Sequence, residues 1–256
     1  DDDGVCDACR WAEIKETKID WAKREKELHK LCDKHRSTGG SYDVVVPASG
    51  GKDSMYVAHI LKTKFGMKPL TVTWAPHLWT ETGIGNHQNL IQSGFDNILV
   101  SPNGEVHRKI TRLAFENLGH PFQPFIVGQR TVGPRIASQY GVKLIFYGEN
   151  GEVEYAGDPQ TVDKPFIDFI EDEKWLNGVS KGVTLDQLID YSLNNKDFIS
   201  KEDINNSDLE FYKSPEKKIL LKSRITKYYH YNYYCKWNPQ ENYYYCTENT
   251  GFQPNL

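Results

Sequence analysis

The stretch Asp43-Val44-Val45-Val46-Pro47-Ala48-Ser49-Gly50-Gly51-Lys52-Asp53-Ser54 constrains this chain more than any other. Three consecutive β-branched residues without polar alternation read as a strand buried on both faces, the pattern of a central parallel strand. After the glycines the spacing turns helical through Met55, Val57, Ala58, Ile60, Leu61 and Phe65, and Gly66 supplies a stop. A second strand is expected at residues 69–74. Beyond it the pattern predicts a helix at 85–93, a strand at 97–101, helices at 106–117 and 132–140, the latter closed by Gly141, and a strand at 142–148. That alternation predicts an α/β fold, a parallel sheet with helices on both faces.

The flanks read differently. Ile14, Trp21, Leu28 and Leu31 lie near heptad spacing among many charges, so residues 14–35 read as one amphipathic helix. Residues 1–40 thus form an N-terminal, cysteine-containing helical extension, 41–158 the central domain, and 159–256 a C-terminal helical and aromatic extension. Its first part, as far as residue 214, is polar and reads as a lid or substrate-side piece; its last forty residues are dense in Tyr, Trp and His. A chain of 256 residues with 38% hydrophobic residues supports one such core with an appendage at each end.

At the junction of strand and helix, backbone N–H groups of a turn and of a helix N-terminus converge, which suits a phosphate or pyrophosphate. Gly50 and Gly51 permit a sharp turn and close approach, Ser49 and Ser54 offer hydroxyls, and Lys52 a mobile positive charge. Asp53 sets a carboxylate at an anion site; it can hold Mg²⁺ that bridges phosphate oxygens, or cap the helix. The spacing lacks Gly-x-x-x-x-Gly-Lys-Ser/Thr, so this is not a Walker A loop.

Residues 49–54 resemble the PP-loop, SGGxDS, of the N-type ATP pyrophosphatases, within the adenine-nucleotide alpha-hydrolase folds. A wider resemblance runs through Gly4-Val5-Cys6-Asp7-Ala8-Cys9, the strand and loop, Gly148-Glu149-Asn150, and Trp237-Asn238-Pro239-Gln240-Glu241-Asn242-Tyr243-Tyr244. Together these are similar to the N-acetyl sugar amidotransferases of bacterial surface-glycan (lipopolysaccharide) and flagellin-glycan synthesis. The resemblance implies a ligase that uses ATP and Mg²⁺ to turn an acetamido group of a nucleotide-activated sugar into an acetamidino group, releasing AMP and pyrophosphate. It places ATP on Ala48, Ser49, Gly50, Gly51, Lys52, Asp53, Ser54, Thr73, Trp74 and Gly148. Lys52, Asp53 and Glu149 are the implied catalytic residues, Asp53 the magnesium ligand, and Arg130, Arg135, Trp237 and Tyr243 the substrate contacts. Ammonia would come from a separate glutaminase subunit, since the chain has no Gly-x-Cys-x-Gly elbow and no cysteine after a near-terminal Met.

Several of these residues have a second reading. Thr73, Trp74 and Gly148-Glu149-Asn150 close strands at the carboxyl edge, where open parallel sheets bind ligands. Trp74 can be a core wall or an adenine platform, and Glu149, with Glu152 and Glu154 nearby, a ligand group or a surface carboxylate. Arg130 and Arg135 suit bidentate phosphate contacts, or a salt-bridged helix start. His77, His87, His107 and His120 are scattered, with no metal-binding spacing. The aromatic tail either packs on the core or lines a sugar pocket.

Cys6 and Cys9 read as half of a four-cysteine zinc knuckle, a redox pair, or incidental thiols; the resemblance favours structural zinc and an earlier Cys pair before Asp1. Cys32 reads as buried and inert, and Cys235 and Cys246 could join a metal site only if the tail folds back. Lys+Arg 31 against Asp+Glu 35 gives a net charge of −4, so no global positive field draws nucleic acid or a membrane surface. The apolar runs fall far short of the ~20 residues of a membrane span. A soluble cytoplasmic protein is expected. Two rival functions stay open: a tRNA thiolase, which needs a catalytic cysteine and a basic face, and a non-catalytic nucleotide-binding module.

Overall fold

The computed structural model describes residues 3–150, 154, 164–180, 182–195, 200 and 203–255. Val44, Val45 and Val46 are all fully buried in β1 (Val44–Pro47), which runs parallel to β2 (Pro69–Trp74) with Val45 opposite Leu70. β2 in turn runs parallel to β3 (Asp96–Val100), with Thr73 opposite Leu99. On its other side β1 meets the segment leading into β4 (Phe146–Tyr147): Val45 N–H donates to the Leu144 carbonyl at 2.9 Å, and Val45 and Ile145 form a lone parallel bridge. β4 pairs parallel with β6 (Lys227–His230), which pairs antiparallel with β5 (Phe166–Asp168). Across the molecule the order is β3-β2-β1-β4-β6-β5, and the connections run outward in opposite directions from β1 and β4.

The period of two along β1 divides the core. Val45 faces a layer with Leu70, Val72 and Trp74 of β2, packed under α5 (Gly104–Leu118) and α6 (Gln123–Tyr140). Val44 and Val46 face the opposite layer, formed by α2 (Trp21–His35), α3 (Lys52–Thr63) and the aromatic C-terminal segment. The chain is therefore α/β with helices on both faces, as its alternation predicts. The remaining elements are α1 (Asp7–Thr17), α4 (Glu81–Gln92), α7 (Glu173–Leu176), α8 (Leu185–Asn194), a 3-10 helix (Asn206–Tyr212), α9 (Lys217–Ser223), α10 (Tyr231–Tyr234) and α11 (Pro239–Asn249). No described helix is long and apolar enough to cross a membrane.

Four local expectations change. The single helix at 14–35 is two helices, because Asp20 caps α2 by accepting from Lys23 N–H at 2.9 Å and Trp21 Nε1 donates to the Lys15 carbonyl at 2.9 Å. Helix α6 starts at Gln123, well before residue 132, and runs through Pro134. The last strand of the core is only Phe146–Tyr147: Leu144 and Ile145 meet β1 at Val45 alone, and Val142 N–H bonds back to the Ala137 carbonyl of α6. β5 and β6 lie in the stretch read as an extension and instead widen the sheet. The expected domain boundary at residue 158 lies outside the described residues, as does Glu152.

Aromatic residues of the tail pack on α3. The Tyr56 ring meets those of Tyr231, Trp237 and Tyr245 edge-on at 5.8, 6.0 and 5.3 Å. Asn238 begins α11, its side chain accepting from Gln240 and Glu241 N–H, with Pro239 at the first helical position. Cys246 of α11 donates to the Lys52 carbonyl at 3.1 Å, and Gln253 exchanges two hydrogen bonds with Asn86 of α4 at 2.7 and 2.8 Å.

Helix α6 approaches β2 closely at one point. A Cβ at Gly128 would stand 2.2 Å from Cε2 and Cζ2 of the buried Trp74 ring. In an exposed helix Gly→Ala stabilises by about 1 kcal/mol. Here the sign reverses: Gly128→Ala is expected to cost about 1–3 kcal/mol by overpacking, read from the midpoint of urea unfolding.

Candidate functional site

The outward divergence of connections from β1 and β4 leaves a crevice at the carboxyl edge of the sheet, the place where open parallel sheets take ligands. A cavity of about 650 Å³ occupies it. The β1–α3 loop contributes Ala48, Ser49, Gly51, Asp53 and Ser54; β2 contributes Trp74; α6 contributes Ile126, Gln129 and Arg130; and β4 with its exit contributes Tyr147, Gly148 and Glu149.

The loop is tightly specified. Gly50 has φ +88°, and a Cβ there would lie 2.9 Å from His87 N, in the backbone of α4. Only glycine fits both the left-handed turn and that gap. Gly51 is the N-cap of α3 and provides no side-chain cap. Ser49 Oγ accepts from Gly51 N–H at 3.3 Å, and Ser54 Oγ donates to the Gly51 carbonyl at 3.1 Å. Helix α3 therefore presents its positive end at the cavity, free of a side-chain cap. Lys52 Nζ bonds both carboxylate oxygens of Asp53, at 2.6 and 2.7 Å, with both side chains about one third exposed. That partly solvated pair can exchange its mutual contact for a polyphosphate on Lys52 and a hard cation on Asp53.

Thr73 lies under the loop rather than in the cavity. Buried to 1% exposure, its hydroxyl donates to the Ala48 carbonyl at 2.6 Å. Asn97 Nδ2 donates to Thr73 Oγ1 and Thr71 Oγ1 at 2.9 and 3.0 Å, and Asn97 Oδ1 lies 3.1 Å from His87 Nε2. An amide oxygen only accepts, so that nitrogen carries the hydrogen. A partly buried polar ladder thus ties α4 and β3 to the start of the loop, and sequence alone showed none of it.

Trp74 is a buried wall, its ring edge-on to Tyr212 at 5.3 Å. Arg130 lines the cavity and donates one Nη1–H to the Val179 carbonyl at 3.2 Å. Arg135 stands elsewhere: its Nη2 donates to the Glu210 and Lys213 carbonyls, both at 2.6 Å, fastening the 3-10 helix to α6. Trp237 is 2% exposed and sits behind Gly148, where a Cβ would meet its ring at 3.2 Å. Tyr243 packs against Tyr244 and Phe252. Neither aromatic lines the cavity: Trp237 packs against Tyr56 and Tyr231, and Tyr243 belongs to α11 itself. Glu154 is bound to Lys15 of α1 at 2.6 Å with its side chain 5% exposed, which commits it to the scaffold.

Cys6 and Cys9 lie exposed at the start of α1 as free thiols, two groups where structural zinc takes four ligands. Among the described residues no three potential ligands cluster. Burial pushes the thiols of Cys32 and Cys246 up to about 12, leaving both protonated.

The scattered histidines are not all apart. His77 and His107 stack at 4.0 Å with their Nε2 atoms 3.2 Å apart, and His107 Nδ1 bonds the Tyr212 hydroxyl. Burial, with His77 adding to it, holds His107 at about 4.

No protein-family model matches this chain, and no curated protein matches it in sequence. Among solved structures it is similar to a predicted subunit of tRNA methyltransferase from Methanocaldococcus jannaschii, at 14% identity and a TM-score of 0.37 over 80% of this chain and 74% of that one. It is also similar to NMN synthetase from Francisella tularensis, at 12% identity and a TM-score of 0.39 over 81% of this chain and 97% of that one. Such low identity transfers no residue role.

Removing the Thr73 hydroxyl strands the Ala48 carbonyl, so Thr73→Val is expected to lose about 1–3 kcal/mol of stability in urea unfolding, and Thr73→Ser, which keeps the donor, less. Acid acts through the buried imidazoles. His107 and His230 are both held at about 4, whereas an unfolded histidine titrates near 6.5. Between those values the unfolded chain binds the more protons, so stability rises with pH across the window and is lost as pH falls from about 6.5 to 4. Melting temperatures measured across that range should fall with pH, and less steeply in His107→Gln.

Proposed function

We propose that this chain is an ATP-dependent amidotransferase that converts an acetamido group of a nucleotide-activated sugar to an acetamidino group. The observation that supports it most is the gathering of the glycine loop, Trp74, Arg130 and Glu149 around one cavity at the point where the sheet's connections diverge. Carboxyl-edge crevices of this kind suit nucleotides, and the capless start of α3 suits their phosphates.

The reaction needs activation because an amide carbon is a poor electrophile toward ammonia. The amide oxygen of the sugar attacks the α-phosphorus of ATP, the bond to the bridging oxygen breaks, and pyrophosphate leaves. Loop N–H groups and Lys52 take up the charge that develops on the departing pyrophosphate, in a site where preorganised donors act without reorganising. Ammonia then adds to the imidate carbon, AMP leaves with the former amide oxygen, and one proton is released as the amidine forms. Magnesium bound at Asp53 would neutralise polyphosphate charge during the first step. Glu149 stands across the cavity as an acceptor for a proton from the incoming nitrogen. Arg130 holds substrate phosphate by its planar fork. Ammonia is supplied by a glutaminase subunit, so glutamine alone would not support turnover of the isolated chain.

The test is pyrophosphate release from Mg·ATP with ammonium and a panel of UDP- and CMP-linked di-N-acetylated sugars. Release is expected to depend on the sugar, the product to be lighter by exchange of O for NH, and Asp53→Ala to lose about a hundredfold or more in rate. ATP binding without pyrophosphate for any sugar and ammonia source would overturn the proposal.

A further inference from the structure

The exit of β4 is held from behind by residues of β6 and α10. Asn232 N–H donates to the Gly148 carbonyl at 3.1 Å, and Asn150 N–H donates to Asn232 Oδ1 at 3.1 Å. Between them, the Glu149 carbonyl lies 3.2 Å from His230 Nδ1, which must carry the hydrogen because a carbonyl only accepts. Three successive residues are thus fixed, with Glu149 the middle one and a lining group of the cavity.

Asn232 is itself held. It is 3% exposed, and its Nδ2 donates to Glu154 Oε1 at 2.8 Å. The other carboxylate oxygen, Oε2, takes Lys15 Nζ at 2.6 Å, with the Lys15 and Glu154 side chains 15% and 5% exposed. A carboxylate at that depth stands only while its cation and donor remain. Lys15 belongs to α1, the helix that begins with Cys6 and Cys9.

We infer that Lys15, Glu154 and Asn232 are positioning residues: helix α1, through one buried ion pair, sets where Glu149 stands in the cavity. The N-terminal helix is on this account part of the site's support. The catalytic consequence rests on the function proposed above, whereas the coupling itself does not.

Lys15→Met leaves the buried Glu154 carboxyl without its cation, while adding Glu154→Gln replaces it with a neutral group and keeps an oxygen for Asn232. Two readouts separate the claims. Hydrogen exchange at the Asn150 amide reports the coupling without turnover; it should quicken about tenfold or more in K15M and return to within about threefold of the parent in K15M/E154Q. Sugar-dependent kcat should fall and recover in the same pattern, with KM for ATP within about twofold, because the Thr73 ladder that holds the nucleotide loop is untouched. Unchanged Asn150 exchange in K15M, or a double variant as perturbed as the single, would overturn the inference. Should K15M not fold, Asn232→Ala added to K15M/E154Q must quicken Asn150 exchange, and no change there overturns it equally. Exchange that moves and recovers in a protein releasing no pyrophosphate upholds the coupling and counts against the amidotransferase reading alone.

Discussion

The cavity depends on a gap between two backbones. Where β1 gives way to α3, the chain turns left-handed at Gly50, with no room for a Cβ before Asn86 and His87 of α4. This contact sets the distance between the loop and α4, and hence the height of α3 above the sheet edge. Thr73 reinforces it from below by binding the Ala48 carbonyl. The C-terminal segment reinforces it from above, since Cys246 reaches Lys52 and Gln253 clasps Asn86. A loop that must present backbone donors to an anion needs its own backbone fixed beforehand, and here it is fixed on three sides.

What could be read from sequence was the local part. β1, its glycine turn, α3 and β2 each carry their period within a dozen residues, so propensity and pattern agree there. Helix α6 hid its first turns, where Gly128 resembles a break but is small to admit Trp74; Pro134, within the part that was legible, is carried inside the helix. Asp20 split a heptad-like stretch because a cap outweighs a weak period. β5 and β6 are three and four residues long, too short for alternation to register, and only their pairing with β4 defines them.

The site divides in the same way. The loop residues were legible because their chemistry and their spacing are contiguous. Arg135 looked like its neighbour Arg130, yet its partners are Glu210 and Lys213, far along the chain, and nothing near Arg135 announces them. Asn232 gave no sign of itself for the same reason, its contacts being 78 and 82 residues away. The Asn-Pro-Gln-Glu of the tail, which could be taken for a substrate motif, is here a helix start: Asn238 caps, Pro239 enters, and Glu241 faces the positive end.

The pairing of Lys15 with Glu154 spans 139 residues of chain. During synthesis from the N-terminus, α1 emerges well before the acid that receives its lysine, which appears only after β1 to β4 have been made, and Asn232 follows later still. Isolated helices as short as α1, at 11 residues, are marginal in water. The helix therefore finds its place only long after it has been made, once the residues that receive it have followed.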